Sequence, residues 1–236
     1  MSRLLHRRPL RLELARPIVS FTFDDAPSSA FETGGRILED HGGTGTYYIC
    51  MGLMDQITEI AQIGGAQCYE RALAAGHELG CHTYDHLDAW HVPRAEYLAS
   101  IDRNAEAVGK LFPGHRFESF AYPKSGAIAA VKPELSHRFT SCRGGGQGIN
   151  RGQIDLNLLN ACFLDERAGV TLEQARALID DNARSPSWLI FAAHDIADQG
   201  SIFRTAPGKF EAIVKAASLS GAELLTVREA YGRLSL

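Results

Sequence analysis

Ile18-Val19-Ser20-Phe21-Thr22-Phe23-Asp24-Asp25 is the stretch from which the fold can be read. The residues before the acids are mostly β-branched or aromatic, which favours a buried, pleated strand. The run then stops at two adjacent carboxylates, which repel each other unless a cation or a donor stands between them. A strand ends there, and a site begins. A partner for the acids follows in Gly76-His77-Glu78-Leu79-Gly80-Cys81-His82-Thr83-Tyr84-Asp85-His86, where His82 and His86 have the spacing to converge with Asp25 on one metal ion.

The same alternation of strand, loop and helix recurs along the chain. Ser29 and Glu32 have capping-box spacing, so a helix is expected to run to about His41 and to stop at Gly42 and Gly43. Further strands are expected over 44–51, 78–81, 117–122, 138–142, 188–193 and 223–225. Between them, helical periodicity marks 69–75, 94–112, a stretch near 127–136, and 209–218. Thr171 with Gln174, and Thr226 with Glu229, open two more helices as capping boxes. So regular an alternation implies an α/β fold with a parallel sheet. The recurrence of the unit implies a single-domain distorted (β/α) barrel of about seven parallel strands over residues 17–236. The acids, the His pair and His194 all fall at C-terminal strand ends, where such folds carry their sites.

With 236 residues, 45% of them hydrophobic and 22% charged, the chain can bury one sizeable core. A net charge of -4 argues against a nucleic-acid partner. Residues 1–16 are a basic N-terminal segment, with Arg3, Arg7, Arg8, Arg11 and Arg16 against Glu13 alone. It reads as a solvated tail, with a membrane-surface or partner contact as the alternative. No stretch has the length of a transmembrane span or a signal-peptide core, so the expected location is cytoplasmic unless the chain has been trimmed. Cys50, Cys68, Cys81, Cys142 and Cys162 are far apart and odd in number, and read as buried thiols. Gly144-Gly145-Gly146-Gln147-Gly148 lacks the Lys-Ser/Thr ending of a phosphate-binding loop. Nothing in the sequence fixes an oligomeric state.

A metal held by Asp25, His82 and His86 keeps a coordination position open for water, whose pKa the ion lowers. Asp24 is then the candidate general base and His194 the candidate acid for the leaving amine. Metal-assisted amide hydrolysis needs that acid and base on opposite sides of a polarised carbonyl. One divalent ion is expected, zinc by default, with cobalt, nickel or manganese as alternatives.

Together these residues resemble the polysaccharide deacetylase family, also known as NodB-homology proteins or family-four carbohydrate esterases. Phe21-Thr22-Phe23-Asp24-Asp25 is similar to its first motif, base then metal ligand. His82-Thr83-Tyr84-Asp85-His86 is similar to its second, and Trp188 to His194 resembles its last, whose His is the acid. The resemblance implies an enzyme that removes an acetyl or similar acyl group from an amide nitrogen of an N-acylated saccharide. Alternatives are a small non-saccharide amide as substrate, or a metal-binding but catalytically weak binding module.

The departures from the family pattern carry expectations of their own. Ala121 stands where the third motif has Arg, so another cation must orient Asp24. Arg143, at the end of the strand over 138–142, is the candidate, with a carboxylate beside His194 as its alternative target. Asp155 and Asp165 are loose matches to the acid that tunes the family's His. Ala26 replaces a common Gly, and Ala192 a common Leu of the acyl pocket. Tyr122, Pro123 and Lys124 are the candidate substrate and oxyanion loop, with the Lys124 main chain as donor because Pro123 has no N–H. Trp90, Tyr84 and Tyr122 are candidates for a sugar-stacking rim.

Overall fold

The computed structural model describes residues 4–234; Arg3 of the basic segment lies outside them. Its organising element is β1 (Ile18–Asp24), every residue of which is buried. Both faces are covered because alternate side chains serve different layers. Val19, Phe21 and Phe23 pack outward against helix Pro207–Leu219, with Phe210 meeting both phenylalanines. Ser20 and Thr22 face inward, where they are satisfied by Trp188 Nε1, which donates to Ser20 Oγ at 3.0 Å, and by the Phe191 carbonyl.

Around β1 run β2 (Gly45–Ile49), β3 (Glu78–Cys81), β4 (Ser119–Ala121), β5 (Ser141–Arg143), β6 (Cys162–Phe163) and β7 (Trp188–Ala193). They form a parallel sheet in the order β5-β4-β3-β2-β1-β7-β6, and the short β8 (Glu223–Leu224) pairs with the start of β1. The sheet curls into a half-barrel with helices outside, as the alternation in the sequence implies. The run 156–163 crosses between its edges: Leu159 bridges to Arg143, and Cys162 pairs with Phe191. Its register puts Phe23 opposite Ala193, so Asp24 and His194 leave neighbouring strands together.

Three expectations are corrected. Ser29 does not cap a helix: its hydroxyl donates to Asp195 Oδ1 and accepts from the Ile196 N–H. The segment after it is a π-helical turn, Ala30–Gly35, leading into the short helix Arg36–Asp40. The helix expected near 127–136 starts later, at Lys132, with Pro133 in its first turn, where the missing N–H costs nothing. Residues 8–12 are not a solvated tail. Pro9–Arg11 pairs antiparallel with Gln153–Asp155, Leu12 is buried, and the Arg8 guanidinium donates to the Phe139 and Thr140 carbonyls. All five cysteines are free, four buried and Cys68 partly so. No described helix is long and apolar enough to cross a membrane.

Candidate active site

At the C-terminal rim of the sheet lies a cavity of about 330 Å³, with Asp24, Asp25, His82, His86, Lys124 and His194 among its walls. Strand alternation alone would send Asp25 to the helix side, away from Asp24. Its φ of +57° turns the chain back, so both carboxylates reach the same cavity with different partners. Ala26 follows at φ +52°, a conformation glycine adopts without strain, which gives a physical reason for glycine there. Thr83, His86, Lys124 and Ser125 also have positive φ. Left-handed non-glycine residues concentrated at one rim are the signature of a site held by its surroundings.

Asp25, His82 and His86 each offer a ligand atom, and these lie within 4.8 Å of one another. Asp25 Oδ1 is 3.4 Å from His86 Nε2 and 4.0 Å from His82 Nε2. Ligand atoms with ~2.1 Å bonds to a tetrahedral ion stand roughly 3.4 Å apart, so the three fit one metal. His82 Nδ1 lies 2.8 Å from the Ala121 carbonyl, which fixes the proton there and leaves Nε2 as a lone pair facing Asp25. Burial pushes both imidazoles down to about 4, so they are neutral and ready to ligate. Burial also lifts the Asp25 carboxyl above its ordinary value.

Asp24 is paired with Arg143, whose Nη2 donates to its Oδ1. Arg143 is the last residue of β5, fully enclosed, with its guanidinium over the Tyr48 ring at 4.9 Å. Burial would raise the Asp24 carboxyl, but Arg143, His82 and His194 outweigh it and hold it below the usual carboxylate value. On the other side, His194 Nδ1 is 3.1 Å from Asp165 Oδ2, and the ring lies between Phe163 and Phe203. Burial opposes the imidazolium, yet Asp165 and the two cavity carboxylates lift His194 above its ordinary value.

Of the loose matches, Asp165 is therefore the residue beside His194, while Asp155 pairs with Lys132 at 3.0 Å. Asp165 also caps the short turn Glu166–Ala168 by accepting from the Ala168 N–H. Lys124 lines the cavity, but Tyr122 and Pro123 do not. Tyr122 is buried on the opposite strand face, its hydroxyl donating to the Asn157 carbonyl, so it is neither a cavity residue nor part of a rim. Tyr84 is half-buried against Gly52 and Arg103, and only Trp90 of the three rim candidates is well exposed. Ala192 is buried in the apolar interior beside Ile190 and Phe163, and does not line the cavity.

Residues 12–137 match the family described as polysaccharide deacetylase. The chain belongs to this family. Membership supports an amide-hydrolysing enzyme, and solved structures share its fold over most of the chain. PdaC, a peptidoglycan deacetylase from Bacillus subtilis, is 16% identical with a TM-score of 0.62, over 94% of this chain and 93% of that one. The Bc1960 peptidoglycan N-acetylglucosamine deacetylase is 18% identical with a TM-score of 0.66, over 93% and 90%. A family 4 carbohydrate esterase from Streptomyces lividans is 13% identical with a TM-score of 0.58, over 88% of each chain. Identities this low show a shared fold alone. No curated protein matches the chain.

Proposed function

We propose that this family member is a metal-dependent hydrolase removing an acetyl or similar acyl group from an amide nitrogen of an N-acylated saccharide. One observation carries the reading: Asp25, His82 and His86 converge in the same cavity that Asp24 and His194 enter. A divalent ion, zinc by default, would be held by those three side chains. It would supply Lewis-acid polarisation of the acyl carbonyl and lower the pKa of a water. Asp24 takes the proton from the attacking water, and its ion pair with Arg143 keeps the carboxylate ionised and fixes its rotamer. Arg143 thus stands in for the arginine that Ala121 lacks. His194 protonates the departing nitrogen from Nε2, because Asp165 occupies Nδ1 and so sets the tautomer. The Lys124 main chain is the proposed oxyanion donor, from a loop that lines the cavity.

The test combines metal analysis with acetate release from N-acetylated oligosaccharides. Wild type should carry near-stoichiometric metal and His86→Ala should lose it. Asp24→Asn and His194→Ala should keep the metal and lose on the order of 10²-fold to 10⁴-fold in turnover. Equal metal in wild type and His86→Ala, or wild-type rates in either of the other variants, would sink the assignment.

A further inference from the structure

Two cationic side chains line the cavity beside the site residues, and neither charged group takes part in the chemistry proposed above. Lys124 is exposed, makes no ion pair among the described residues, and sits at φ +54° in the strained loop. Arg167 is also exposed, with its guanidinium stacked over Phe203 at 4.7 Å and Phe163 at 5.8 Å. Its nearest carboxylate, Asp165 at 3.5 Å, is already shared with His194. Its neighbour Glu166 pairs with Arg204 instead. Arg167 therefore keeps donors free on a head group that two rings hold in place. Against these cations the cavity wall offers one exposed carboxylate, Glu59, since Asp24 and Asp25 are buried on partners of their own. Arg167 and Ser125 also line the adjoining cavity of about 400 Å³ that carries Trp90, so Arg167 stands where the two spaces meet.

We propose that the substrate carries an anionic substituent, a carboxylate or a phosphate, that Lys124 and Arg167 bind beside the scissile amide. The inference rests on the deacylase reading and adds the charge of its substrate. The experiment is calorimetry on the metal-loaded enzyme at low salt, with acetate release followed in parallel. The probes are N-acetylmuramic acid, its methyl ester, N-acetylglucosamine 6-phosphate and N-acetylglucosamine. At least one anionic probe should bind about tenfold tighter than its neutral counterpart, and the anion with the larger preference identifies the source. Added salt should erode the preference. Lys124→Met and Arg167→Gln should each reduce it, and the double variant should abolish it. Equal binding of anionic and neutral probes, no binding of any probe, or a preference intact in both variants would overturn the proposal. A charge preference without acetate release from any probe would instead remove the deacetylase reading and leave the anion site standing.

Discussion

Asp24 and His194 are pushed in opposite directions by their neighbours, and each push predicts a pH effect. Burial alone would raise Asp24, and Arg143 is the strongest force holding it down. Arg143→Met should therefore move the acidic limb of the rate profile to higher pH and lower turnover by roughly 10²-fold, with metal content unchanged. An unmoved limb would leave Arg143 a purely structural residue. For His194 the signs reverse: burial lowers it and Asp165 raises it, so the proton needed by the leaving group is retained to higher pH. Asp165→Asn should bring the alkaline limb down in pH, and pH–rate profiles of the two variants displaced in opposite directions would separate the two roles. Arg143 was legible in the sequence because a strand visibly ends beside glycines at the rim. Asp165 was scarcely legible, since nothing local in Leu164-Asp165-Glu166 says which imidazole it will face. Tyr122 was misread because proximity to Lys124 in sequence says nothing about a strand that alternates its side chains.

Elements were legible where their caps are self-contained. Thr171 with Gln174 and Thr226 with Glu229 both form reciprocal capping boxes, as their spacing implies. Ser29 with Glu32 has the same spacing and forms none, because a distant carboxylate, Asp195, takes the hydroxyl. The self-contained cap predicts a purely local outcome on truncation. Thr171→Ala should cost about 1 kcal/mol, seen as a lower midpoint in thermal or urea unfolding, with turnover unchanged. A Thr171→Ala enzyme of full stability, or one of reduced turnover, would show that this cap does something other than close its helix. The N-terminal arm was illegible for a related reason: its arginines look solvated until the carbonyls of Phe139 and Thr140, far along the chain, are brought to Arg8.

At the scale of the molecule, the half-barrel followed from the alternation of strands and helices, but the polar contents of its interior did not. Glu78 is buried there, accepting from Thr46, from Ser119 and from the Arg228 N–H at the start of helix Val227–Gly232. It ties two strands to the last helix. Burial raises its carboxyl despite those three donors. The unfolded chain therefore ionises first as pH rises from about 4.3. Stability should fall through the interval up to the raised native value and stay lower above it. Glu78→Gln should flatten that slope and match or exceed the wild type in denaturant midpoint at neutral pH. A variant with the same slope would place the titration elsewhere.

The strand order also dictates how the protein must be made. β1 has β2 beside it almost at once, but the strand along its opposite edge, β7, supplies Phe191, which lies 169 residues beyond Thr22. At about 5–20 residues per second, a ribosome needs roughly 10 to 30 s to deliver it. Throughout that wait the nascent chain presents the unpaired edge of an apolar strand, a template for any passing β-segment. A message truncated before codon 188 should accordingly yield aggregate rather than a folded, inactive protein, because the chain's last major strand closes its first.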